Sequence, residues 1–141
     1  MSADTPTPVV AVAAARAALA RMFIELARAF HTSTFPLDQE PTEIDADLVL
    51  VAVAVLLGHS EGNPMTARCI ENLLHMPHST TLSRLNALVG RGIIVKRANN
   101  RYLLDPDRAA RVPYLDAFNL ILSRAFAVLG PHLDLMSKTD T

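Results

Sequence analysis

The stretch His75–Asp105, HMPHSTTLSRLNALVGRGIIVKRANNRYLLD, changes its pattern twice and decides the predicted fold. It opens with a proline-containing turn, continues as a helix with one apolar face, breaks at Gly92, and ends in two β-rich runs joined by Ala98-Asn99-Asn100. Asparagine tolerates the positive φ angles that a tight hairpin turn needs. The stretch therefore predicts a turn, a helix and a β-hairpin, in that order.

Composition limits the class of protein. The 141 residues suit a single domain, 1–141, and half of them are hydrophobic while 19% are charged, which excludes a disordered chain. This apolar content exceeds what one compact monomer needs and indicates a partner. The net charge of -1 excludes a uniformly basic nucleic-acid binder, so any such role requires a local patch. The lone cysteine, Cys69, is expected to be half-buried and fits a reducing cytosol.

Two apolar stretches raise the question of a membrane span. Charged residues, among them Arg16 and Glu25, interrupt residues 9–30, and the run LVLVAVAVLLG at residues 48–58 is about half the length of a spanning helix. We therefore predict no membrane partner and a cytoplasmic location.

Helices are predicted at both ends of the chain. Alanine-rich composition and apolar spacing predict a helix over 9–31, before Pro36 and Pro41 break the pattern. Pro113 suits the first turn of a second helix over 112–130, which Gly130-Pro131 is expected to end. These helices have long apolar stripes, which we expect to form a dimer interface through Leu19, Phe23, Leu26, Phe30, Leu115, Phe118, Leu122, Phe126 and Leu129.

Three helices are predicted within the segment 45–105. The valine-rich run after Asp45 has no period, but an aspartate N-cap and a closing Gly58 favour a helix over a strand. A short helix capped by Thr66 should turn Ile70, Leu73 and Leu74 inward, and a third helix capped by Ser79 should bury Thr81, Leu85 and Leu88. The opposite face of that third helix presents Ser79, Thr80, Ser83 and Ala87, with Arg84 at the border.

Basic residues concentrate between Thr66 and Arg101. Only Glu71 opposes Arg68, Arg84, Arg91, Lys96, Arg97 and Arg101. A charge run alone is usually a solvated face. These cations, however, flank a helix-turn-helix and a hairpin, the wing, which favours a DNA-binding surface. The fold predicted is mainly α with a small β-hairpin: a winged helix-turn-helix core, 45–105, flanked by terminal dimerisation helices.

The segment MTARCIENLLHMPHSTTLSRLNALVGRGIIVKRANNRYLL resembles the winged-helix core of MarR-type bacterial transcriptional regulators. The matching residues are Thr66, Pro77, Ser79, Thr80, Leu88, Gly92, Ile93, Arg97, Arg101 and Tyr102. The resemblance implies a homodimer, held by its first and last helices, on a pseudo-palindromic operator in double-stranded DNA. It also implies a small-molecule effector bound between the dimerisation helices and the DNA-binding lobe.

The residues predicted to contact DNA are His78, Ser79, Thr80, Ser83, Arg84, Lys96, Arg97, Asn99, Asn100 and Arg101. No catalytic motif, phosphate loop or cofactor-binding motif occurs, so we expect neither an enzyme nor a cofactor. His75 and His78 lack companions for a metal site, and none is expected. The alternative function is a winged-helix protein interaction module that does not bind DNA.

Overall fold

The computed structural model describes residues 8–35, 43–110 and 115–139, with side chains described for 12–35, 43–109 and 117–133. These residues are mainly helical, with a small three-stranded antiparallel sheet. The helices are α1 (Pro8–Ser33), α2 (Ala46–Ser60), α3 (Ala67–Leu74), α4 (His78–Gly90), α5 (Pro106–Ala110) and α6 (Leu115–Thr139). The strands are β1 (Met65–Thr66), β2 (Ile94–Lys96) and β3 (Arg101–Leu104).

The chain forms two compact units. One unit holds α1 as far as Leu26 together with α6. The other begins at Ala27 and contains the last turns of α1, the helices α2 to α5 and the sheet. The predicted terminal helices thus belong largely to one unit, and the predicted segment 45–105 lies within the other.

The valine-rich run forms the helix α2, as predicted. The Asp45 side chain caps it by accepting a hydrogen bond of 3.0 Å from the Leu48 backbone N–H. Val51 and Val55 are fully buried, so tertiary packing outweighs the preference of valine for strands. The prediction that Gly58 ends this helix is wrong, because α2 continues to Ser60.

Gly58 instead lets β1 approach the helix. A Cβ atom at this position would lie 3.0 Å from the Asn63 carbonyl oxygen and 3.0 Å from Met65 Cγ. The residue is buried within α2, where glycine costs about 1 kcal/mol of helix propensity relative to alanine. Close packing, rather than helix termination, explains a glycine here.

The helix α3 is capped by Thr66, as predicted, since the Cys69 N–H donates to Thr66 Oγ1 at 3.2 Å. His75, at a left-handed φ of 52°, ends it. Ile70 is fully buried, but Leu73, expected to face inward, is 48% exposed. An eight-residue helix has one narrow inward face, and Ile70 occupies it.

The helix α4 buries Thr81, Leu85 and Leu88, as predicted. The prediction that Ser79 caps it is wrong. The helix begins one residue earlier, at His78, and Pro77 occupies the cap position without a side-chain hydrogen bond. Proline suits this position, because its missing N–H leaves no intrahelical bond unmade. Ala87, expected to face outward, packs in part against the core, since its methyl group lies beside the buried stripe.

The predicted hairpin forms from β2 and β3, and β1 adds a third strand on the other side of β3. Met65 pairs with Tyr102, and Ile94 pairs with Leu104, both antiparallel. Tyr102, in the central strand, is 2% exposed and belongs to the same buried cluster as Val51, Ile70 and Leu88. The sheet therefore closes one side of the core that α2, α3 and α4 share.

The C-terminal helix is longer than predicted. The expectation that Gly130-Pro131 ends it is wrong, because α6 continues through Pro131 to Thr139. Proline removes one backbone hydrogen bond, while the turns on either side keep theirs. The described helix begins at Leu115, and the predicted start at 112 lies outside the described residues.

Two arginines bind backbone carbonyls where α1 ends, close to the predicted end at 31. Arg91 Nη1 donates to the Thr34 oxygen at 3.3 Å, and the Arg91 guanidinium lies 4.3 Å from the Phe35 ring centroid. Arg108, from the unpredicted α5, donates to the carbonyl oxygens of Ser33 and Phe35. The last turn of α1 is thereby attached to the unit that contains the sheet.

Candidate nucleic-acid interface

A row of small polar side chains lies on the solvent face of α4. Ser79, Ser83 and Asn86 are exposed at the spacing i, i+4, i+7, and Thr80 beside them is half-buried. Hydroxyl and amide groups of this size bond phosphates and base edges, and an asparagine amide can pair with adenine. Asn86 is absent from the residues predicted to contact DNA, although its seven-residue spacing from Ser79 could have indicated it.

The first turn of α4 is joined to α3 by a side-chain pair. His78 Nδ1 contacts Glu71 Oε1, and His78 is otherwise largely exposed. The Thr81 hydroxyl donates to the Pro77 carbonyl at 3.1 Å on the buried side of the same turn. The first contact joins the start of α4 to α3, the second closes the first turn of α4, and Ser79 stays open to solvent.

Arg84, at the border of the polar face, is held by acidic residues at the start of α2. Its Nε lies 3.0 Å from Asp45 Oδ2, and its Nη2 lies 4.0 Å from Asp47 Oδ2. The Nε–H is buried and makes no hydrogen bond of good geometry, so the pair is mainly Coulombic. Much of the Arg84 charge is therefore compensated within the protein.

The ionised form of Asp45 is favoured in this arrangement. Burial raises the pKa of the carboxyl group. The hydrogen bond from the Leu48 N–H and the charge of Arg84 lower it by more, so the pKa of Asp45 lies below its ordinary value of 3.8. Asp45 thus serves as both the cap of α2 and the anion that holds Arg84.

The turn of the hairpin depends on its two asparagines. Asn100 adopts the positive φ predicted for this turn, 62°, and its N–H donates to the Arg97 carbonyl at 3.0 Å. Asn99 Oδ1 accepts a hydrogen bond of 3.2 Å from the Arg101 N–H. Both residues are exposed, and the Asn99 side chain stabilises the turn at the same time.

The predicted basic patch divides into two groups. Arg84 pairs with Asp45, Arg91 contacts the end of α1, and Arg101 Nη1 donates to the Pro64 carbonyl at 2.5 Å. The other group is exposed and consists of Arg68, Lys96 and Arg97. Within the described residues, only half of the basic side chains in the predicted patch are therefore free to contact phosphates.

The residues predicted for dimer contact include several of the most exposed apolar side chains described. Phe23 is 70% exposed, Leu19 54%, Phe126 53% and Leu122 38%, all in the unit formed by α1 and α6. Leu26, Phe30, Phe118 and Leu129 are half-buried, and the Leu115 side chain lies outside the described residues. The same helices also expose Ile24, Leu120, Val128 and Leu133.

Other classes of site find little support in the described residues. Within them, no three histidine, cysteine, aspartate or glutamate side chains lie close enough to hold a metal ion. None of the described helices has the length and hydropathy needed to cross a membrane.

Cys69 is exposed rather than half-buried as predicted, because it lies on the solvent side of α3. A hydrogen bond with the Thr66 hydroxyl is the main cause of a lowered pKa of its thiol.

Comparison of the chain with protein-family models, with curated proteins and with solved structures found no match. The functional argument therefore depends on the geometry of α4, the hairpin and the two terminal helices.

Proposed function

We propose that this chain is a sequence-specific, DNA-binding transcriptional regulator of the winged helix-turn-helix type, similar to the MarR class, which acts as a cytoplasmic homodimer on a pseudo-palindromic operator. The observation that carries the proposal is the exposed row Ser79, Ser83 and Asn86 on α4, in a unit whose hairpin presents Lys96 and Arg97 to solvent. Small polar groups on a helix can contact phosphates and base edges in the major groove, and a basic hairpin beside the helix can supply further phosphate contacts.

The order of elements supports the same proposal. Helices α3 and α4 are joined by the three residues His75, Met76 and Pro77, as in a helix-turn-helix. The hairpin follows α4 directly, and β1, just before α3, completes the sheet. In this reading α4 is the recognition helix, which enters the groove, and the β2–β3 hairpin is the wing.

The dimer rests on the exposed apolar side chains of α1 and α6. Soluble monomers rarely expose a contiguous apolar patch larger than a few hundred Å². Leu19 and Phe23 lie one helical turn apart on α1, and Leu122 and Phe126 lie one turn apart on α6. A second copy related by a two-fold axis would cover these stripes, and its recognition helix would then reach a half-site about 34 Å away, one turn of DNA.

The proposal is tested by binding to mixed genomic DNA fragments, with the bound fragments recovered and sequenced. Enrichment of a two-fold symmetric motif, together with affinity that falls steeply with salt, is expected. The absence of any binding at low salt would contradict the proposal.

Two arginine variants sharpen this experiment. Arg97→Ala should reduce the slope of log affinity against log salt by about 1.8, because each of the two protomers of the proposed dimer loses one phosphate contact, worth about 0.9. Arg101→Ala removes the same charge, but its guanidinium is bound to the Pro64 carbonyl, so a much smaller change in slope is expected. Equal slopes for both variants and the unmodified chain would remove the wing from the proposal.

A protein interaction module is the second candidate. It is favoured by exposed apolar side chains in the unit that contains the sheet, since Leu50, Leu57 and Leu73 are each more than 40% exposed. Retention on a heparin column despite the net charge of -1 would favour DNA binding, because it requires a concentrated basic face. Passage without retention would favour the interaction module.

A further inference from the structure

The Arg84 side chain connects the start of α2 with the exposed polar row on α4. Its Nε lies 3.0 Å from Asp45 Oδ2, and its Nη1 donates to the Ser83 hydroxyl oxygen at 3.4 Å. Ser83 belongs to the row that carries the proposed function, whereas Asp45 caps α2. One guanidinium therefore joins an anion at a helix terminus to a hydroxyl group that faces solvent.

Both carboxylate oxygens of Asp45 are engaged. Oδ1 accepts a hydrogen bond of 3.0 Å from the Leu48 N–H, and Oδ2 faces Arg84. Because the first oxygen is bound to the backbone of α2, the second has little freedom to move. The Arg84 Nε atom is buried, so a DNA phosphate cannot reach it in this arrangement. The guanidinium is thus anchored at its Nε side and meets Ser83 at its Nη1 side.

The contact with Arg84 decides which hydrogen-bonding role remains for Ser83. A serine hydroxyl has one proton to donate and two lone pairs, and arginine can only donate. Ser83 Oγ accepts from Arg84, and within the described residues its side chain makes no other hydrogen bond. Thr81, by contrast, donates its hydroxyl proton to the Pro77 carbonyl. The Ser83 proton is therefore left for an external acceptor, and accepting from a cation makes the hydroxyl a stronger donor.

We propose that Arg84 is a positioning residue, held by Asp45, that orients the Ser83 hydroxyl to donate to an acceptor on a base edge. This role rests on the proposed function, because it assigns one position of each half-site. In the major groove, guanine presents acceptors at O6 and N7 and thymine presents one at O4, whereas cytosine presents a donor at N4. Ser83 is therefore expected to favour guanine or thymine over cytosine. Arg84 itself makes no phosphate contact, because Asp45 opposes its charge.

The role is tested by selecting binding sites from a pool of double-stranded oligonucleotides with a randomised segment, and by reading the base preference at each position. Ser83→Ala should lose the preference for guanine or thymine at one position of each half-site by about three- to tenfold, the factor that one net hydrogen bond contributes. Asp45→Asn, a change in another helix, should lose much of the preference at that same position, because the freed Arg84 no longer fixes the hydroxyl.

Glu61→Gln provides the matched control. It removes the same charge at the other end of α2, where Glu61 is exposed, and it should leave every base preference unchanged. Asparagine at position 45 can still cap α2, and circular dichroism checks that each variant is folded at the temperature of the selection. If Asp45→Asn weakened binding to all sequences equally and kept the preference, Asp45 would support only the fold, and the proposed role of Arg84 would be overturned.

A double variant tests whether Asp45 acts through Ser83. Because the two residues belong to one chain of contacts, their effects should not be additive. Ser83→Ala combined with Asp45→Asn should therefore show the same base preference at this position as Ser83→Ala alone. If the two losses multiplied, Asp45 would act independently of the hydroxyl, and the proposal would fail.

The salt dependence of binding distinguishes positioning from phosphate contact. Arg84→Gln combined with Asp45→Asn removes one charge of each sign and keeps the net charge of the chain. A positioning role leaves the slope of log affinity against log salt unchanged. A phosphate contact from Arg84 in each protomer of the proposed dimer would instead lower the slope by about 1.8, and that result would overturn the role assigned to Arg84.

This inference and the proposed function fail in different ways. If the unmodified chain selects no sites at low salt, the regulator is refuted and the role of Arg84 with it. If it selects a motif in which Ser83→Ala changes no base preference, or in which the Ser83 position favours cytosine, the regulator stands and only the role of Arg84 is refuted.

Discussion

Replacement of Gly58 by alanine should destabilise this protein, although the residue lies inside a helix. Alanine in a helix interior is favoured over glycine by about 0.8–1 kcal/mol. The added Cβ, however, would lie 3.0 Å from the Asn63 carbonyl oxygen and 3.2 Å from the Met65 amide nitrogen. Met65 Cγ, also at 3.0 Å, can move, but these backbone atoms belong to the connection that leads into β1. Such overpacking costs about 1–3 kcal/mol, so the net loss is about 0–2 kcal/mol.

Gly90 provides the matched control, because it is also helical and a Cβ there would meet nothing within 4 Å. Gly90→Ala should stabilise the protein by up to about 1 kcal/mol. The gain in helix propensity largely cancels between the two variants. Their difference in free energy of unfolding, about 1–3 kcal/mol, therefore measures the close contact between α2 and the β1 connection.

The free energies are obtained from urea unfolding followed by far-ultraviolet circular dichroism. One protein concentration is used throughout, because the apparent stability of the proposed dimer would depend on concentration. If Gly58→Ala were as stable as Gly90→Ala, the reasoning about close approach would be refuted. A changed slope of free energy against urea would indicate that the variant altered the unfolded state instead.

Three further predictions concern the cap of α2, the proposed dimer and the proposed recognition helix. Asp45→Asn retains a capping side chain but removes the charge. Because folding lowers the pKa of Asp45, the variant should be less stable than the unmodified chain at pH 7, and this difference should vanish as pH falls through the lowered pKa. A loss of stability that does not change with pH would contradict this. Phe23→Asp should shift the sedimentation of the proposed dimer toward that of a monomer, whereas Leu73→Asp, also at an exposed apolar position but on α3, should not. Asn86→Ala should reduce the discrimination between bases at one position of each half-site by about 1–3 kcal/mol, measured by competition between operators. A uniform loss of affinity across all sequences would instead assign Asn86 to phosphate contact.

Local signals in the sequence were sufficient for much of the fold. Asp45 and Thr66 cap the helices they were expected to cap, and Asn100 adopts the positive φ predicted for the hairpin. Thr81, Leu85 and Leu88 form the buried stripe of α4. Each of these features depends on residues within about four positions of one another, so the sequence displays it directly.

Features that depend on distant residues were not predictable in the same way. The strand β1 has two residues and forms by pairing with β3, a partner that a short sequence pattern does not reveal. α6 continues through Pro131, although the Gly130-Pro131 pair indicated an end. Pairing with β3 creates β1, whereas α6 passes Pro131 at the loss of one backbone hydrogen bond, while the turns on either side keep theirs.

The sequence by itself determined the type and order of the main helices, the hairpin, and the concentration of cations near α4, since composition and short-range periodicity encode these. Only the tertiary structure decided which cations remain free. Arg101 bonds a carbonyl 37 residues away and Arg91 one 57 residues away, so their charge is used inside the fold, and Arg97 is left to solvent.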